Sequence, residues 1–114
     1  MIPEDSSTFY YCFTKLGFEG DGLFYKYLQK VVSKTIGSFE GRHLARMFYK
    51  FDTPEVRLNT GVKGRLVDHA KFLLRENKMK GHDATIVYEN TRNLEDKTLH
   101  QKCETFLQKI RYFT

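Results

Sequence analysis

The chain has 114 residues, a formal net charge of +5 and a sequence pI of about 9.2. That length suffices for a single core but not for two. With 40% hydrophobic and 15% aromatic residues, the chain has enough apolar material to fold. No window approaches the roughly 18 apolar residues of a membrane-spanning helix.

The charge is unevenly placed. Residues 1–20 carry one Lys and three acids, residues 21–80 carry thirteen Lys/Arg and six acids, and residues 81–114 carry five of each. The positive field therefore belongs to the middle, and it favours an anionic partner: nucleic acid, an acidic protein face or an anionic membrane surface. The acidic start, Met1 to Ser7, has neither an apolar signal core nor the Arg-rich character of a transit peptide, so an organellar address would be internal or already removed. Cys12 and Cys103 lie in no disulfide or zinc spacing, which favours a reducing compartment or two indifferent buried thiols.

In chain order, Thr8 to Leu16 is a strongly aromatic segment that periodicity does not classify. Gly17, Gly20 and Gly22 then make a turn; without a GKS/T ending they are not a phosphate-binding loop. From Leu23 to Ile36 the residues Phe24, Tyr27, Leu28, Val31 and Thr35 form one helical stripe beside a row of Lys26, Lys30 and Lys34. Gly37-Ser38 stops that helix. A second helix over 39–51 places Leu44, Met47, Phe48 and Phe51 on one face and Arg42, Arg46 and Lys50 on another. Asp52-Thr53-Pro54-Glu55 reads as the start of a third helix, with Val62, Leu66, Ala70 and Leu73 in line. The segment 83–94 could be strand or helix. Leu99, Cys103, Phe106, Ile110 and Phe113 predict a last helix.

The expected architecture is all-α: an antiparallel three-helix bundle over 23–80, with an aromatic N-terminal extension (1–22) and a helical C-terminal extension (81–114). The alternation of short and long helices also admits helical-hairpin RNA-binding repeats. His43 and His82 begin comparable segments, but the intervening sequences share too little to establish the repeat.

Catalytic chemistry is not evident. His43, His69, His82 and His100 are scattered without metal-ligand spacing, and no nucleophile and base or carboxylate pair stands out. The expectation is a non-enzyme with no metal and no cofactor of its own.

Phe24-Tyr25-Lys26, Arg46-Met47-Phe48-Tyr49-Lys50 and Val62-Lys63-Gly64-Arg65-Leu66 resemble the motifs of the LYR-motif family of small mitochondrial three-helix proteins, most nearly the accessory-subunit type on the matrix arm of respiratory complex I. Phe replaces Leu and Lys replaces Arg in the name motif, and Lys lacks the planar fork of a guanidinium. The resemblance implies a scaffold on the matrix side of the inner membrane, within a respiratory complex. It would dock the mitochondrial acyl carrier protein through Tyr25, Lys26, Arg42, Arg46, Lys50, Lys63 and Arg65. The partner's acyl-4'-phosphopantetheine chain would enter a channel at Phe24, Leu28, Phe48 and Leu66. On this reading nucleic acid is not the expected partner; the alternative is an RNA-associated helical-repeat or mitochondrial ribosomal protein.

Overall fold

The structure, a computed structural model, describes residues 2–16, 22–54 and 58–110. Among these residues there are six α-helices and no strand: α1 (Pro3–Lys15), α2 (Gly22–Thr35), α3 (Gly41–Met47), α4 (Thr60–Arg75), α5 (Gly81–Glu89) and α6 (Thr98–Lys109), with a 3₁₀ turn at Ile36–Ser38. None of the helices is long and apolar enough to cross a membrane.

The helices form three successive hairpins. Within each hairpin α1 packs on α2, α3 on α4 and α5 on α6; between hairpins α1 packs on α3 and α3 on α5, while α2 packs on α4 and α4 on α6. Two layers result, a first of α1, α3 and α5 and a second of α2, α4 and α6. The second-layer helices begin at residues 22, 60 and 98, 38 residues apart each time.

The core repeats with the backbone. Tyr10, Phe48 and Val87 occupy equivalent buried places in the first layer, as do Leu28, Leu66 and Cys103 in the second. Their spacings are 38 and 39 residues, then 38 and 37. One cluster runs from Tyr10 to Leu107 across all three hairpins. Residues 23–80 do hold three α-helices, α2, α3 and α4, but they are not a self-contained bundle: α3 lies in the other layer, between α1 and α5.

Local signals explain the boundaries. Pro3 opens α1 where its missing N–H has no helical partner, so this helix starts five residues before the aromatic segment. The second helix is shorter than periodicity suggests. It ends at Met47, after which Lys50 adopts a left-handed backbone (φ 58°) and the turn delivers Phe51 to the core. The start of α4 is Asn59, whose Oδ1 accepts the Val62 N–H at 2.9 Å, not Asp52 to Glu55. Pro54 sits in the connecting turn, and Glu55 lies outside the described residues. The ambiguous segment is helical as α5. In α6, Leu99, Cys103 and Phe106 are buried as expected, Ile110 is exposed, and Phe113 lies outside the described residues.

Leu66 is fully buried where α4 meets both neighbours of its layer. Leu66→Ala is expected to destabilise the whole array by about 3 kcal/mol, measured by urea unfolding. A loss below about 1 kcal/mol would show that the layers do not share this core.

Candidate nucleic-acid interface

The first two hairpins are tied by one carboxylate. Glu4, in the first turn of α1, meets the Arg46 guanidinium at 3.0 Å, Arg42 Nε at 3.2 Å and His43 Nε2 at 3.1 Å. Arg46 also donates to Ser7 Oγ at 3.2 Å, and Arg42 reaches Glu40 at 3.1 Å. His43 is buried, and its Nδ1 accepts the Glu40 backbone N–H at 2.9 Å. The ring proton is thereby placed on Nε2, from which it is donated to Glu4. The carboxylate thus aims both guanidiniums along one surface of the first layer.

That surface is a groove of about 570 Å³ running over α1, α3 and α5. Arg42, Arg46, Tyr49, His82, Asp83 and Glu89 are among its walls. Tyr11 meets Tyr49 edge to face with ring centres 5.0 Å apart, and Lys50 Nζ lies 5.6 Å from the Tyr49 ring. Tyr11 and Tyr49 stand 38 residues apart, at the same distance from the starts of α1 and α3, while Tyr88 of α5 is stacked on His100 at 4.2 Å. Aromatic rings, planar guanidiniums, an imidazole and two carboxylates on one concave surface match the edges and faces of unpaired bases.

The residues expected at an acyl-carrier interface separate. Arg42, Arg46 and Lys50 belong to this first-layer surface. Lys26 and Arg65 line a different groove, between α2 and α4, where Arg65 bonds Ser33. Lys63 lies over the Phe51 ring at 5.4 Å, in a third cleft that also contains Asp68, Glu95 and Asp96. Tyr25 is buried. Of the expected channel residues, Leu28, Phe48 and Leu66 are at most 1% exposed within the shared core, and Phe24 packs at its edge against Phe13 and Tyr25.

Three histidines have structural partners. Besides His43, His69 Nε2 bonds the Phe39 carbonyl at 2.7 Å, and His100 Nδ1 bonds the Tyr88 carbonyl at 3.0 Å. His82 is exposed in the groove. Burial pushes the Cys103 thiol up to about 12, leaving it un-ionised at neutral pH, whereas Cys12 is exposed rather than buried. Among the described residues no group of His, Cys, Asp and Glu is placed to hold a metal ion.

Tyr11, Tyr49, His82 and Glu89 were not among the residues expected to form a site. The 38-residue spacing of Tyr11 and Tyr49 was the available signal, and it becomes readable only once the first two hairpins are superposed. Comparisons with family models, curated proteins and solved structures find no match to this chain.

The guanidiniums of Arg46 and then Arg42, aided by His43, hold the Glu4 carboxyl at about 2, below its ordinary 4.5. A depressed folded value stabilises the fold above pH 4.5, and that contribution is lost as pH falls toward 2. Glu4→Gln is therefore expected to flatten the acid limb of a Tm-versus-pH curve between pH 4.5 and 2. An unchanged limb would show that the carboxylate is not paired in solution.

Proposed function

We propose that this chain is an RNA-associated helical-repeat protein that seats single-stranded RNA across the groove of its first layer. The observation that carries the reading is the stacking of three equivalent hairpins, which aligns Tyr11, Tyr49, Arg42, Arg46 and His82 on one continuous surface. A base can stack on the Tyr49 ring or on a guanidinium plane, while Asp83 and Glu89 can accept from exocyclic amines. The same two carboxylates repel phosphates, so the groove favours bases over backbone. No step of bond chemistry is assigned to it.

A second reading has its own support. Lys26, Lys30 and Lys34 are exposed on one stripe of α2 beside Arg65, a cationic row suited to an acidic helix. On that reading α2, α3 and α4 act as an LYR-type bundle within a mitochondrial respiratory complex, matrix side, docking the acyl carrier protein and its acyl-4'-phosphopantetheine. RNA is preferred because Arg46 and Tyr25, which that docking would use together, lie in different places: one in the first-layer groove, the other in the core.

Binding of mixed-sequence RNA 24-mers, followed by fluorescence anisotropy, tests the two readings. Tyr49→Ala is expected to weaken binding of the preferred sequence about 10-fold, in line with about 1–3 kcal/mol per stacked base, with the fold intact by circular dichroism. Absence of RNA binding at 50 mM salt, with copurification of an acyl carrier protein instead, would transfer the assignment to the second reading.

A further inference from the structure

The positive charge of this chain is not where the aromatic groove is. In the first-layer groove Arg42 and Arg46 are matched by Asp83 and Glu89, and Glu4 is paired with both guanidiniums. That surface has no net charge with which to draw in a polyanion.

The second layer is different. Between α2 and α4 a groove of about 490 Å³ is lined by Lys26, Lys30, Lys34 and Arg65, with no carboxylate. Between α4 and α6 a groove of about 440 Å³ is lined by Lys71, Arg75, Lys102 and Lys109, again with no carboxylate. Seven of these eight cations are exposed and Lys71 is half-buried. None of the eight forms an ion pair among the described residues, and Lys71 also faces a neighbouring cleft that holds Asp68, Glu95 and Asp96.

Two further features point the same way. No first turn of α2, α4 or α6 contains an acid, whereas α1 and α5 carry Glu4, Asp5 and Asp83 there. The α4 start, capped by the neutral Asn59, therefore keeps its positive dipole end, whereas at α6 the Asp96 carboxylate accepts the Thr98 N–H at 2.9 Å. The grooves also hold uncharged hydrogen-bond donors: Gln29, Ser33 and Asn59 in one, Gln101 and Thr105 in the other. Amide and hydroxyl groups among lysines are the surroundings that phosphate oxygens accept from.

We propose that the second layer is a phosphate track: its two cation-lined grooves bind the sugar-phosphate backbone of one stretch of the RNA, independently of sequence, while the first layer contacts the bases of another stretch. The proposal rests on the RNA reading and deepens it by dividing attraction and base contact between opposite layers. Successive grooves are set by the 38-residue step of the array, so the backbone is gripped at regular intervals along the stack. Capture is fast and salt-sensitive through the second layer, and preference among sequences is added by the first.

The test compares two folded variants of the full chain. One, K30Q/K34Q/K71Q/K102Q, removes two cations from each groove; the other, Tyr49→Ala, alters only the first layer. For single strands each phosphate contact contributes about 0.7 to the slope of log K against log salt. The quadruple variant is expected to lower that slope by about 2–3 for an RNA 24-mer, with its ranking of sequences kept. Tyr49→Ala is expected to leave the slope unchanged and blunt the ranking. A quadruple variant with the parent slope overturns the proposal.

Inorganic polyphosphate, a polyanion without bases, separates this proposal from the base-binding reading. Its loss of binding in the quadruple variant alone supports the track even if no sequence preference exists; equal binding by both variants refutes it. Tighter, equally variant-sensitive binding to phosphatidylserine vesicles or to an acyl carrier protein than to RNA would assign the cations elsewhere and overturn the proposal.

Discussion

A helical hairpin has one apolar face and nothing of its own to bury it against, and that constraint organises the whole molecule. Each hairpin here completes the burial of its neighbour. Leu28, Leu66 and Cys103 succeed one another through the second layer, and Tyr10, Phe48 and Val87 through the first, so the core is a row rather than a centre. Stability in such a stack is distributed over interfaces between neighbours. Its by-product is two extended surfaces, one per layer, whose chemistry can diverge because neither is needed for the core.

They have diverged in charge. The first-layer surface is electrically balanced and locally ordered, with Glu4 fixing two guanidiniums and an imidazole. Two grooves of the second layer are lined by cations with no carboxylate among their walls. Ordered planar groups suit selective contact with bases; ammonium groups suit a phosphate chain of any sequence. A net charge of +5 describes neither surface, since it averages a neutral groove with a strongly positive face.

The second layer was legible in α4 and α6, whose apolar stripes are regular, but in α2 the buried face is Tyr25, Leu28 and Val32, and Tyr27 of the expected stripe is exposed. Leu28, Leu66 and Leu99 announce themselves by spacing alone. In the first layer only α3 and the turn after it were legible, with Leu44, Met47, Phe48 and Phe51 buried as their spacing indicates. Its α1 buries Ser6, Ser7 and Thr14, and α5 buries only Ala84 and Val87, because closely packed neighbours leave room for small residues and let hydroxyls bond their own helix. Hydrophobic periodicity cannot detect such faces. The cationic rows were visible, but they looked like one rim: sequence places α2, α3 and α4 in succession, whereas the fold puts α3 in the opposite layer. Likewise Asp52 and Thr53 had the residue types of a helix start, yet Asp52 Oδ2 accepts the Asn93 N–H at 3.0 Å and Thr53 Oγ1 donates to the Lys50 carbonyl at 2.8 Å. Both side chains close turns, and capping falls to Asn59.

The turn after α3 has a further consequence. The backbone N–H of Lys50 is received by Asn90 Oδ1 at 3.0 Å, while Asn90 Nδ2 donates to Ile86 at 2.8 Å. One amide side chain in the third hairpin therefore closes the end of the second, and it does so at the wall of the aromatic groove. Anything lodged there that tugs on Asn90 would loosen the left-handed turn at Lys50. The groove wall and the turn of the adjacent hairpin thus share one side chain.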